Sequence, residues 1–271
     1  MSLHSRPRRT LLALACCGLM LGACAAYEAG GAPAPAAPEP PPPPELTEEQ
    51  KVIARYVEAV GGEDAIRAHT SMTVTGSFEM PAMGMVGDAV EYRMAPGKSL
   101  AKISLPGFGE IVNGTNGDIA WAEDPMQGAR LLDGQMAADA KRLARFYLDL
   151  EFEDLYPEQK AVGESEWNGQ AAYQLDLVDT DGNESSQYFA VDTGLLIGVE
   201  ATQTNEMGTM EVTLTMSDHE EFGGRLFPTK TVMAMPSMGI EIVQTTESVT
   251  FDDVLPSVFE PSDAIKALLP E

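Results

Sequence analysis

From Ser71 onward, apolar residues fall on every second position. Met72, Val74, Gly76, Phe78 and Met80 alternate with Thr73, Thr75, Ser77 and Glu79, the pattern of a strand with one buried face. Val86, Val90, Tyr92 and Met94 form the expected return, and Pro96-Gly97 turns the chain into 98–103. Asn113-Gly114 and Asn116-Gly117 punctuate the next passage, where Asp118 to Glu123 carries Trp121. Asn168-Gly169 is a two-residue hairpin signal between strands at 160–167 and 171–178. Within that second strand Tyr173, Leu175 and Leu177 share one face, and Gln174 and Asp176 the other. Met210, Val212, Leu214 and Met216 make another apolar face, and Gly-containing turns recur to Met238-Gly239. This spacing predicts an antiparallel meander of about ten strands.

Helical signals flank and interrupt the meander. Thr47 is a good N-cap, with Glu48 and Glu49 in the first turn and Gln50 at the capping-box position. Val52, Ile53, Tyr56, Val57 and Val60 then recur on one face, until Gly61-Gly62 ends the helix and 63–68 adds a short further turn. A second helix is expected from Gln135 to about Leu150, with Met136, Ala140, Leu143, Ala144, Tyr147 and Leu148 on one face. A third is expected from Pro261 to Leu269. The fold class is therefore α+β, mostly β, built on a large curved antiparallel sheet.

The N-terminus carries a different kind of signal. Arg6, Arg8 and Arg9 precede an apolar run from Leu11 to Leu21, too short to span a bilayer, and Leu21-Gly22-Ala23-Cys24 closes it. The arrangement resembles the lipobox of a bacterial lipoprotein, which implies a leader over 1–23 and acylation of Cys24; an ordinary secretory cut near Ala26 is the alternative. Cys16 and Cys17 would leave with the leader, so a mature domain would hold no thiol, disulfide or Cys-ligated metal. Three acyl chains on Cys24, at about 0.8 kcal/mol per buried CH2, would make a permanent membrane anchor. Ala25 and Ala26 follow the cysteine in place of an acidic inner-membrane retention residue, which favours the outer membrane. A tether over 24–45, ending in five prolines from Pro40 to Pro44, favours polyproline II and a reach of up to roughly 60 Å. The folded domain is expected over 46–271.

Charge and motifs exclude several classes. The net charge of −25 becomes −28 once Arg6, Arg8 and Arg9 are removed, and such a polyanion is repelled by nucleic acid. His219-Glu220-Glu221-Phe222-Gly223 begins like a zinc helix but lacks the second histidine. Asp179-Thr180-Asp181-Gly182-Asn183 begins like a calcium loop, yet Glu184 and Ala190 stand where the loop needs Gly and Glu, so a hairpin turn is expected. No nucleophile motif is present, no carboxylate pair stands out, and no catalytic residue or cofactor is expected. Met80-Pro81-Ala82-Met83-Gly84-Met85 and Met233-Ala234-Met235-Pro236-Ser237-Met238 share a pattern, with Met207 and Met210 near a third turn. Thioethers in such clusters suit three uses: Cu(I) ligation, an adaptable apolar mouth, or packing between loops.

Several short stretches together carry a resemblance. They are Tyr56-Val57-Glu58-Ala59-Val60-Gly61-Gly62, Asn116-Gly117-Asp118-Ile119-Ala120-Trp121 running to Pro125 and Gly128, Gly163-Glu164 to Asn168-Gly169 with Tyr173, and Phe259-Glu260-Pro261. The chain resembles the periplasmic and outer-membrane proteins similar to the lipoprotein carriers LolA and LolB. That resemblance implies an unclosed β-barrel with a few helices on its concave face, over an apolar cavity that accepts acyl chains. Phe78, Met80, Met83, Met85, Trp121, Tyr147, Tyr173, Met216, Met233 and Met235 are the candidate cavity residues. The expected function is non-enzymatic: an outer-membrane lipoprotein, anchored through Cys24 and facing the periplasm, that binds a lipid or a lipoprotein acyl chain. A structural or adaptor lipoprotein that recruits a protein partner is the reading from a different class, and Cu(I) binding a third.

Overall fold

The two ends of the meander meet in the middle of its sheet. In the computed structural model, which describes residues 45–205 and 208–270, Thr47 caps the first helix, α1 (Glu48–Ala59), through the reciprocal bonds of a capping box with Gln50. A short α2 (Gly62–Arg67) leads into six strands: β1 (Ser71–Met80), β2 (Met85–Met94), β3 (Lys98–Leu105), β4 (Gly109–Thr115), β5 (Ala120–Asp124) and β6 (Gly128–Leu131). A crossover with α3 (Gly134–Leu143) and α4 (Phe152–Leu155) follows. Seven more strands complete the sheet: β7 (Glu158–Trp167), β8 (Gln170–Val178), β9 (Glu184–Ala190), β10 (Leu196–Asn205), β11 (Gly208–Phe222), β12 (Arg225–Met235) and β13 (Ile240–Phe251), before α5 (Asp263–Lys266). Cys24, the leader and the Pro-rich tether lie outside the described residues, as does Met207.

All 13 strands form one antiparallel sheet in the order β6-β5-β4-β3-β2-β1-β13-β12-β11-β10-β9-β8-β7. The first and last strands pair in the centre, and among the described residues β6 and β7 are the unpaired edges of an unclosed barrel. The expected ten strands become thirteen because short segments such as 109–115 and 128–131 pair fully despite weak alternation. The β7 edge is blunted: the amide of Ala161 donates to Oε1 of Glu49 on α1 at 2.8 Å, and a bulge follows between Ala161 and Gly163. That bond holds the Glu49 carboxyl below its ordinary range.

Opposed residues in antiparallel strands share a face, so the pairing register sorts the side chains. Tyr92, Leu100, Gly114, Trp121 and Leu131 are paired in sequence across β2 to β6 and form the outer face. The C-terminal segment covers it with Val254, Phe259 and Ile265. Gly114 is required there: a Cβ would stand 2.5 Å from the Trp121 ring. On the inner face, Val52, Ile53 and Tyr56 of α1 pack onto Leu175 and Phe189, while Phe146 and Tyr147 of the crossover pack near Met72, Val249 and Phe251.

The crossover corrects one expectation. α3 ends at Leu143, not near Leu150, and 144–151 bends across the sheet. The amide of Phe146 donates to the Pro96 carbonyl at 2.9 Å, which takes the ring out of helical register and into the core. Tyr147 and Leu148 therefore do not continue the face of α3.

Candidate functional site

A contiguous apolar floor occupies one end of the inner face. Met80 and Met85 lie directly opposite each other on β1 and β2. On the other side of β1, Glu79 pairs with Val243, so Met80 lies beside Ile242 of β13, which pairs with Met233. Met233 also pairs with Leu214 of β11, and Leu214 with Val199 of β10. One row thus crosses five neighbouring strands and ends on a sixth, all apolar. Phe78, Met216 and Met235 lie on the same face in the adjacent rows. Phe78 is buried; the methionines of the floor are half-buried.

Six of the ten residues expected to line a cavity are therefore brought together: Phe78, Met80, Met85, Met216, Met233 and Met235. The other four lie elsewhere. Met83 sits on the β1–β2 tip and is 60% exposed. Trp121 is on the outer face, 1% exposed beneath the C-terminal segment, because its register partner is Gly114. Tyr147 is on the inner side at the opposite end of the sheet, where its hydroxyl donates to the His69 carbonyl at 3.1 Å. Tyr173 lines a slot of about 410 Å³ between α1 and the β7–β8 edge, with Val52, Val162, Leu175 and Phe189, and Arg55 at its rim. Met210 belongs to β11, where it pairs with Gln203.

The end of the inner face away from the floor is filled and cross-tied. The Tyr56 hydroxyl donates to Oδ1 of Asp149 at 2.6 Å, and Arg225 Nη2 donates to Oδ2 at 2.8 Å. Arg225 is 5% exposed, lies 5.0 Å over the Phe227 ring, and has no hydrogen-bond partner for Nε or Nη1. Burial, reinforced by the Asp149 carboxylate, pushes the Tyr56 hydroxyl well above its ordinary range. This network joins α1, the crossover and β12. Sequence reasoning missed it because its members lie at 56, 149 and 225, with no local motif to connect them.

A second tie holds the crossover near the sheet's open seam. Arg142 Nη2 on α3 lies 2.7 Å from Asp139 and 3.2 Å from Asp179, on the turn between β8 and β9. The carboxylates of Asp139, Asp179 and Asp181 come within 4.8 Å of one another, and the Arg142 guanidinium supplies the cation they face. Oδ1 of Asp179 accepts from the amides of Asp181 and Asn183 at 2.9 Å each, the hairpin turn expected there. Burial pushes the Asp179 carboxyl up, but the bonds from Asn183 and Asp181 and the charge of Arg142 outweigh it and hold it below its ordinary range. His219 sits within β11 opposite Pro228, and burial lowers its pKa. A polar hollow of about 690 Å³ on the outer side of β7–β11 carries Asp176, Glu184, Glu200 and Glu211, a lining hostile to an acyl chain.

The arrangement matches solved structures in fold. A DUF1329 family protein from Desulfovibrio piger superposes with a TM-score of 0.57 at 14% identity, over 81% of this chain and 100% of that one. A LolA superfamily protein from Nitrosomonas europaea gives 0.54 at 14% identity, over 80% and 99%. A domain from Vibrio parahaemolyticus, assigned to outer membrane lipoprotein sorting, gives 0.51 at 13%, over 80% and 96%. The domain therefore has the LolA-like unclosed-barrel fold. No family model and no curated protein matches the sequence. No helix among the described residues is long and apolar enough to cross a membrane.

Proposed function

We propose that this protein is a lipid-anchored outer-membrane lipoprotein whose inner floor binds a hydrophobic ligand, an acyl chain of a lipid or lipoprotein, without catalysis. The observation that carries this reading is the uninterrupted apolar row Met85–Met80–Ile242–Met233–Leu214–Val199 on a half-buried inner face. Unbranched thioethers adjust to chains of different shape at little cost. An acyl chain half-buried on an open floor gains roughly 0.4 kcal/mol per CH2, from which the cost of association and of ordering the chain is subtracted. Anchoring rests on Cys24, and the LolA-like fold suits an envelope setting.

Residues 46–271, produced without leader and tether, should carry lipid in native mass spectra and bind a fluorescent fatty acid. Met216→Glu, which places a charge on the floor, should weaken binding at least tenfold, while Met126→Glu, on the exposed β5–β6 turn, should not. A protein that carries no lipid and also fails to bind the fluorescent fatty acid would favour the adaptor reading. Palmitate labelling of the wild-type chain but not of Cys24→Ser would support the anchor.

A further inference from the structure

The two methionine motifs fold into the same object twice. Met80 and Met235 each end a strand, with φ/ψ of −120°/87° and −121°/84°. A 3-10 turn follows in each case, Pro81–Met83 and Pro236–Met238. Gly84 and Gly239 then close it in the left-handed region, at 62°/27° and 64°/25°, each amide bonded to the proline carbonyl three residues back. Because β1 pairs with β13, these matching tips stand side by side at one end of the sheet.

Packing does not account for them. Met83 is 60% exposed and Met238 51% exposed, so neither fills a core, and both lie beyond the rows of the floor. Glu79 and Glu241, on the strands that carry the tips, pair with Val86 and Ala234 and so belong to the outer face. What the tips present is thioether sulfur: Met80, Met83 and Met85 on one, Met235 and Met238 on the other, with Ser237 the one side-chain oxygen between them. Hard divalent ions find few donors in such a set, whereas thioether sulfur is a soft, neutral donor matched to Cu(I).

We propose that the adjacent tips jointly hold one Cu(I) ion through thioether sulfurs, with Met83 and Met238 as ligands contributed one from each hairpin. The ion keeps its positive charge on neutral ligands, which the net charge of −25 favours. Thioethers carry no proton to lose, so the affinity should change less than threefold between pH 5 and pH 7.5, unlike that of a His or Cys site.

The test uses the full chain in a non-ionic detergent under anaerobic conditions, with Cu(I) supplied as its acetonitrile complex and ferrozine as a weak competing chelator. One equivalent should be withdrawn from the chelator, and X-ray absorption should show a shell of sulfur alone. Met83→Leu and Met238→Leu, close in volume to the residues they replace, should each weaken binding at least tenfold and leave the fold intact. Met126→Leu should change nothing. Failure to compete, an unaltered affinity in the Met83→Leu/Met238→Leu double variant, or a nitrogen and oxygen shell would overturn the proposal. The same double variant should still bind the fluorescent fatty acid, so loss of copper binding and loss of the floor's ligand are separate results.

Discussion

One strand displays both characters of the inner face. Along β12 the inward positions run Arg225, Phe227, Thr229, Thr231, Met233 and Met235. At the start of that strand the crossover has descended: Phe146 and Tyr147 fill the space, and Asp149 binds Arg225 and Tyr56 together. At its end the same face is half-buried thioether. Aromatic rings and a buried charge network fix the crossover at one end, and flexible apolar side chains leave the other end adaptable.

Truncation at the two ends should expose that difference. Phe146→Ala, at the filled end, should cost about 4 kcal/mol in urea unfolding, as for a buried ring whose site cannot collapse. Arg225→Ala should cost about 3 kcal/mol, because Asp149 is left facing Tyr56 without its cation. Met233→Ala, on the floor, should cost only about 1 kcal/mol while reducing fatty-acid binding severalfold. If the Met233 and Phe146 losses were equal, the floor would be a packed core and the contrast would fail.

A smaller effect concerns pH. Oδ1 of Asp252 accepts from the Thr70 amide at 2.9 Å, and Oδ2 lies 2.8 Å from Nδ1 of His69. The Thr70 amide, then His69, hold its carboxyl down at about 2. A pKa depressed below the unfolded value of about 3.9 stabilises the fold above pH 4, and that stability is lost as pH falls toward 2. The carboxylate is 46% exposed, so screening limits its worth to about 1 kcal/mol. Asp252→Asn should remove that amount at pH 6 and flatten the stability profile between pH 4 and pH 2.

Much of the sheet was legible because its signals are local. The alternation at 71–80 became β1 with the same bounds, Asn168-Gly169 became a hairpin, and Thr47 with Gln50 became a capping box. What the sequence left hidden depends on distant partners. Alternation assigns Trp121 a face relative to its neighbours but does not say which face is inner; the C-terminal segment settles that by covering it. Apolar periodicity carried the second helix to Leu150, whereas the Pro96 carbonyl ends the register at Phe146. The Met80–Ile242–Met233 row exists only because β1 meets β13, a pairing between the two ends of the meander that no short-range pattern encodes.

The most direct test of the floor is methyl NMR of the methionines during titration with a long-chain fatty acid. The account predicts shifts at Met80, Met85, Met216, Met233 and Met235, with Met72 at the filled end and Met126 on the β5–β6 turn unmoved. Shifts centred on Met72 or Met126, or no shift at saturating ligand, would contradict it.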